Sequence, residues 1–266
     1  VSKLGDNIGE GAHAGLPTVE RIGSALYCTL NRPQEHNRLD PLDIDHLQRV
    51  FDQVRLEFEA GLQGPRCVVL RGQGNHTFCS GFTISAIGQQ LDDRFERMLD
   101  TLEALPVPTI AAIQGGVYGG GTDLALCCDV RLGVATSRMF MPAARFAIHY
   151  YPGGLRRYVN NLGLAASKKL FLTGMPIDAN EMLRIGFLTE VVDSFELDAR
   201  VQAYVASIDE TDASVVASMK DHLHRFAESR PDLPGAAHAA RTSVQSPESR
   251  RRIAALKSSR SAGDAS

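Results

Sequence analysis

The sequence has no apolar run long enough to cross a bilayer, and its first residues offer neither the basic region nor the apolar segment of a secretory leader. Both absences lead to the expectation of a cytoplasmic protein with no membrane partner. An excess of either charge is also missing: 28 Lys and Arg stand against 31 Asp and Glu, a formal net charge of -3 with both signs interspersed. That balance gives no electrostatic footprint for nucleic acid, so no nucleic-acid partner is expected. The five cysteines (Cys28, Cys67, Cys79, Cys127, Cys128) form no C-x-x-C pair and no His/Cys ligand spacing. Being odd in number and set mostly in apolar runs, they predict buried thiols in a reducing compartment, without disulfides or a metal site. A phosphate-binding loop is lacking too, because GVYGGG precedes no Gly-Lys-Ser/Thr and does not match G-x-G-x-x-G.

What the chain does have is bulk and a centre. Its 266 residues, 44% of them hydrophobic, suffice for one large core and one main domain. The centre is residues 106–133, PVPTIAAIQGGVYGGGTDLALCCDVRLG. Residues 109–114 predict a buried strand, 115–121 a glycine turn, and 122–128 the start of an apolar helix. The first amides of a helix have no intrahelical partner and carry the positive end of its dipole. A glycine-lined turn there can receive a substrate oxygen that gains negative charge, although the same turn also serves a tight reversal with no chemistry.

The flanking segments read as alternating strands and helices. Residues 1–17, rich in Gly and polar side chains, predict a flexible arm. Residues 18–30 form a hairpin pattern with its turn at Gly23 and Ser24. Residues 41–60 carry Leu42, Ile44, Leu47, Val50, Phe51, Val54 and Phe58 on one helical face, with Asp40 at the N-cap. Residues 66–71 predict a buried parallel strand, and 72–81 (GQGNHTFCSG) a second glycine loop, followed by a short helix over 82–90. Further helices are predicted over 94–105, 165–172 (ended by Gly174), 178–184 (capped by Asp178), 195–207, 213–230 and 247–259, with a linker over 231–240. Strands are predicted over 130–135, 140–141 and 188–192.

Taken in order, LNRPQEHNRLDP, GQGNHTFCSGFTI, PVPTIAAIQGGVYGGGTDLALCCD, PAARFAIHYYPGGLRRYVNNLG and LTGMPIDANEMLRIGFLTEVVD resemble the crotonase (enoyl-CoA hydratase/isomerase) superfamily over residues 19–257. The resemblance implies an α/β fold, a spiral of repeated ββα units spanning 18–194, with a helical C-terminal region over 195–266 that serves oligomerisation. It implies a homotrimer or a hexamer built as a dimer of trimers. It also implies an acyl-CoA thioester as substrate, with coenzyme A entering as part of it and no permanently bound cofactor. In such proteins two backbone amides, one per glycine loop, bind the thioester oxygen as it becomes an enolate; here these are the amides of Phe82 and Gly120. Contacts to the coenzyme fall on backbone at Asn37, Arg38 and Leu39 and at Cys79, Ser80 and Gly81. Arg38 either adds a phosphate contact or is an ordinary loop arginine.

The acid/base positions depart from the family pattern. Asp123 fills the first carboxylate position, one methylene shorter than the usual Glu, while the second falls on Ala143 in MPAAR. Standard hydration, which uses two carboxylates around one water, is therefore not expected. In the loop that faces the acyl group, the usual Ile-Pro-Gly becomes His149-Tyr150-Tyr151. Tyr150 is a candidate hydrogen-bond or proton donor and His149 a candidate shuttle, unless these rings simply pack beneath the sheet. His76 reads as a surface residue. Isomerisation, decarboxylation, thioester hydrolysis and a modified hydration stay open, as does a catalytically silent CoA-binding homologue.

Overall fold

The computed structural model describes residues 15–82 and 93–228, with six further positions between 234 and 251. The expected short helix after Phe82 and most of the expected arm, linker and last helix lie outside these residues. By packing, the chain divides into two compact units, Val1–Thr211 and Asp212–Ser266.

The first unit is built on two sheets. β1 (Thr18–Ile22) and β2 (Ala25–Leu30) form the expected hairpin. β2 runs parallel to β3 (Cys67–Gly72), β3 to β5 (Thr109–Ile113), β5 to β7 (Val130–Val134), and β7 to β10 (Glu190–Val192). These six strands, ordered β1-β2-β3-β5-β7-β10, make the larger sheet. The smaller sheet has the order β4-β6-β8-β9, from Thr77–Cys79, Gly116–Tyr118, Arg138–Phe140 and Ile177–Asp178.

Both faces of the inner strands β2, β3, β5 and β7 are buried, as apolar parallel strands require, while the edge strand β1 is largely exposed. On one face Leu26, Cys28, Leu30, Val68, Leu70, Ala111 and Ile113 join the main core. That core takes in α1 (Pro41–Glu59), α2 (Arg94–Glu103), α3 (Gly120–Leu126), α4 (Pro152–Thr173) and α5 (Ala179–Arg184). On the other face Ala25, Tyr27, Cys67, Val69, Ile110, Ala112, Leu132 and Val134 meet Leu197, Val201 and Val205 of α6 (Leu197–Asp209). The alternation of partners along β2, β3 and β5 is the period of two expected of a strand. All five cysteines are buried and none is in a disulfide. No described helix is long and apolar enough to cross a membrane.

Local signals account for most of these elements. α1 starts where Asp40 is extended and Pro41 opens the helix, and the Asp43 carboxylate reaches back to the Asp40 N–H at 2.7 Å. α4 ends at Gly174, which is left-handed, and α5 begins where Asp178 accepts the Glu181 N–H at 2.9 Å.

Three features differ from the sequence expectation. Each glycine loop contains a three-residue strand, β4 and β6, whose hydrogen bonds are non-local and leave no periodic trace. The strand expected at 140–141 lies over Arg138–Phe140. Helix α4 begins at Pro152, well before residue 165, because its first half is masked in sequence by Gly153, Gly154 and Gly163; Gly163 itself is non-helical (φ 77, ψ 163).

The second unit contains α7 (Ala213–Ala227), capped by Asp212, whose Oδ1 accepts the Ser214 and Val215 N–H groups at 3.0 Å each. One face of α7 exposes Met219, Leu223 and Phe226.

Phe51 of α1 is fully buried in the main core. Phe51→Ala is expected to lower the unfolding free energy by about 3–5 kcal/mol in urea titrations, with the m-value unchanged.

Candidate active site

The two glycine turns meet because β4 and β6 lie side by side in parallel, Thr77 opposite Gly116 and Cys79 opposite Val117. The chain leaves both strands at the same edge. Gly81 then adopts φ +88, and a methyl group placed on it would stand 2.6 Å from the Gly120 nitrogen; only glycine permits this approach. A methyl group on Gly120 would in turn stand 3.6 Å from the Phe82 nitrogen. The structure thus brings the amides of Phe82 and Gly120 to one place. Gly120 is the first residue of α3, so its N–H has no carbonyl to bond within the helix.

The predicted coenzyme-contact segments are stitched to each other. Ser80 N donates to His36 O at 3.0 Å and Leu39 N to Gly81 O at 2.8 Å, and Leu39 forms a parallel bridge with Phe82. Asn37 is buried and structural: its amide donates to Thr77 O (2.7 Å) and Gln73 O (3.0 Å), while its Oδ1 accepts from Arg32 N (3.1 Å). Arg38 pairs with Glu35 and Asp40. Burial pushes the Cys79 thiol up to about 12, so it is an inert protonated group that accepts the Gly81 N–H at 3.3 Å.

Asp123 lies in the first turn of α3, three residues after Gly120, and is fully buried. Its Oδ2 accepts a short hydrogen bond from the Tyr151 hydroxyl and a longer one from Tyr150 at 3.5 Å, and it faces Arg157 Nη1 at 3.3 Å. Among the described residues no donor reaches Oδ1. Burial raises the Asp123 carboxyl above its ordinary value, against the opposing pull of Arg157 and the Tyr151 hydroxyl. Arg157, also fully buried, binds Asp100 closely and Glu103 at 3.0 Å. Burial works against its charge, yet the surrounding anionic groups hold its pKa above the usual value. Tyr150 and Tyr151 are both pushed well above the normal phenol range, by burial first and then by their anionic surroundings.

A cavity of about 510 Å³ opens beside these groups. Ser80, Phe82, Gly119 and Gly120 line it at the amide end, and Phe95, Tyr150, Tyr151 and Ala143 along its walls. The Phe95 ring links the two ends, 6.3 Å from the Phe82 ring and 6.1 Å from that of Tyr151. His149 is exposed at the cavity's edge, with Nδ1 2.7 Å from Tyr150 O. His76 is exposed, as expected of a surface residue. Sequence reasoning passed over Glu96, which lines the cavity and accepts the Gly153 N–H at 3.0 Å, and gave Arg157 no role. A charged residue six positions after Tyr151 in a broken helix carries no local sign that it is buried. Among the described residues no cluster of His, Cys, Asp or Glu could hold a metal ion.

Comparison with known proteins gives the family and the fold. Residues 20–258 match the family model described as enoyl-CoA hydratase/isomerase. A putative enoyl-CoA hydratase/isomerase of Bacillus subtilis is 32% identical over 212 residues, covering 77% of this chain and 76% of that one. A short-chain-enoyl-CoA hydratase of Clostridium acetobutylicum is 30% identical over 186 residues, covering 67% and 69%. The crystal structure of an enoyl-CoA hydratase from Bacillus anthracis superposes with a TM-score of 0.82 at 24% identity, covering 91% of this chain and 96% of that one, which establishes likeness of fold.

Arg157→Met strands the buried Asp123 carboxylate, leaving Glu103 to Arg156 alone, and is expected to cost about 3–5 kcal/mol of stability at pH 7. Without the guanidinium the folded-state pKa of Asp123 rises further above its unfolded value. Such a group favours the fold below the unfolded pKa and loses that contribution as pH rises through the folded one. The deficit, measured by urea denaturation across pH, should therefore shrink as pH falls.

Proposed function

The chain belongs to the enoyl-CoA hydratase/isomerase (crotonase) family, and on that premise we propose that it is an acyl-CoA enzyme working through an enolate held by the amides of Phe82 and Gly120. The observation that carries the reading is the convergence of those two glycine turns, so close that a methyl group on Gly120 would stand 3.6 Å from the Phe82 nitrogen and one on Gly81 2.6 Å from the Gly120 nitrogen. A thioester oxygen seated there gains charge when a proton leaves the neighbouring carbon. Two preorganised N–H donors then lower the barrier by about 3 kcal/mol each. The acyl chain extends into the cavity lined by Phe95, Met141, Ala143, Phe146 and Ile148. Coenzyme A follows the stitched backbone at residues 37–39 and 79–81, as a part of the substrate.

Asp123 with its tyrosines stands behind this site and Ala143 supplies no carboxylate at the second family position, while the carboxylates that do line the cavity are engaged elsewhere, Glu96 by the Gly153 N–H and Asp93 by Arg97. Moving a double bond needs one proton carrier, whereas adding water needs two groups to hold it. The reading is therefore isomerase-like chemistry in preference to hydration. Ala143 also favours a second reading, a homologue that binds CoA thioesters without turning them over.

The C-terminal helices are proposed to join copies of the chain into a trimer or a dimer of trimers, covering the exposed Met219, Leu223 and Phe226 of α7. Light scattering should give three or six times the chain mass, and a monomer would remove this part of the reading.

A panel of acyl-CoA thioesters with mass-spectrometric detection tests the activity. Acetyl-, crotonyl- or malonyl-type thioesters at about ten times their Kd should stabilise the fold by about 1.4 kcal/mol, a melting shift of about 3–5 °C. No shift with any of them would count decisively against substrate binding. A shift without product would select the silent homologue. Asp123→Asn is expected to lower turnover on the accepted thioester by at least about tenfold.

A further inference from the structure

Asp123 occupies the family's carboxylate position, yet it cannot meet a substrate directly. It is fully buried and forms no part of the cavity wall. Its Oδ2 is enclosed by the Tyr151 hydroxyl, the Tyr150 hydroxyl at 3.5 Å and Arg157 at 3.3 Å. Even the space over Gly154 is closed: a methyl group there would stand 2.9 Å from the same oxygen and 2.3 Å from the Tyr150 ring. A base must come within about 3–3.5 Å of the proton's carbon, and no such path leads to Asp123.

Tyr151 does reach the cavity. It lines the wall, is half-buried, packs edge-on against Phe95 and stacks on Tyr150 with ring centroids 4.5 Å apart. Its hydroxyl is the group most closely joined to Asp123. The other ionisable groups on the wall are differently engaged. Glu96 holds the Gly153 N–H, Asp93 is exposed and pairs with Arg97 at 3.1 Å, His149 is exposed and bonded to the Tyr150 carbonyl, and Tyr150 has only long contacts, 3.5 Å to Asp123 and 3.4 Å to Tyr151.

Building on the acyl-CoA reading above, we propose that the Tyr151 phenol exchanges the proton with bound substrate and that Asp123 is a positioning residue acting through it. In the forward step the substrate C–H bond breaks and its electron pair enters the thioester, whose oxygen becomes the enolate oxygen. The substrate proton bonds to the Tyr151 oxygen, while the proton that Tyr151 carried passes to Asp123 Oδ2. The reverse step returns a proton to carbon and leaves Tyr151 neutral and Asp123 ionised.

The charges around Asp123 suit such a relay. Arg157 and Tyr158 face it from α4, Tyr150 and Tyr151 from the preceding loop, Asp100 and Glu103 from α2 through Arg157, and Cys127 from the residue that ends α3. Burial raises the carboxyl above its ordinary value, which makes it a stronger base, and holds the Tyr151 phenol protonated well above the normal range. The relay runs with Asp123 ionised, so its rate falls as pH drops through the raised carboxyl pKa.

The test is wash-in of deuterium from D2O at the carbon next to the thioester carbonyl of butyryl-CoA, followed by mass spectrometry across pH. Tyr151→Phe should lose at least about a hundredfold in exchange rate with KM changed by less than about threefold, and should keep its thioester-induced melting shift. Asp123→Asn should lose both rate and the acidic limb of the pH profile, and Asp123→Glu should restore part of each. Wild-type exchange in Tyr151→Phe, or an acidic limb that survives Asp123→Asn and disappears in Glu96→Gln, would overturn the relay. A wild-type enzyme that is stabilised by thioesters but exchanges no deuterium overturns the relay alone. Absence of both stabilisation and exchange overturns the acyl-CoA reading with it.

Discussion

The parallel pairing of β4 with β6 sets the position of everything else at the site. Each strand is only three residues long, too short to be stable by itself, so its place is fixed from outside. The Thr77 carbonyl shows how: it accepts from the Asn37 amide at 2.7 Å and from Gln114 Nε2 at 3.0 Å. Gln114 also donates to Gly72 O at 2.8 Å, so the exits of β3 and β5 are tied together just where the chain turns into the smaller sheet. Buried donors and acceptors left unpaired cost about 1–3 kcal/mol each, which makes this cross-linking a strong constraint on register. Slipping β4 by one residue against β6 would separate Gly81 from Gly120 and move the Phe82 amide away from α3.

Beneath that frame lies a second constraint, the buried guanidinium of Arg157. Three carboxylates surround it, Asp100, Glu103 and Asp123, on two different helices. Desolvating so many charges is unfavourable, and a hydrophobic replacement of the whole cluster would pack as well or better. The cluster does fix the angle at which α4 meets α2 and α3, and it keeps a carboxylate in a place that water does not reach. Glu103 is further held by Arg156 at 3.4 Å through its other oxygen, and the ring of charges reaches the surface at Asp100 of α2 and Arg156 of α4.

Much of this was legible in the sequence and some was not, for physical reasons. Asp40 and Pro41 announced α1, and the apolar runs at 66–71 and 109–114 announced β3 and β5, because caps and buried strands are written in adjacent residues. The two glycine loops pointed to Phe82 and Gly120, since only chain reversals with close backbone approach need so many glycines. β4 and β6 were hidden because three residues carry no period and their partners lie about 40 residues away. Arg157 was hidden because a charged side chain on a helix reads as solvent-facing until the carboxylates from other helices are known. The order of Asp123 and Tyr151 along the path to the cavity was likewise invisible: sequence places both near the acyl group, but only packing decides which stands in front.

The first turn of α3 joins the two halves of the proposed chemistry. Taking a proton from carbon is unfavourable, so the enolate must be made more stable and the base made stronger at the same time. Gly120 offers an N–H with no acceptor inside its own helix, at the helix's positive end, which serves the first requirement. Asp123 follows three residues later on the same side of the helix, where the same dipole would favour its ionised form. Left exposed, it would be an ordinary weak carboxylate base. Burial behind Tyr150 and Tyr151 outweighs the dipole and the pull of Arg157, and raises its pKa. The apolar wall of Met141, Ala143, Phe146 and Ile148 on the facing side then limits water near the reacting carbon. Both amide bonds and the proton relay gain from that dryness, since charge interactions strengthen as the local dielectric falls. A carboxylate at position 143 would draw water to that wall, and the residue found there is alanine.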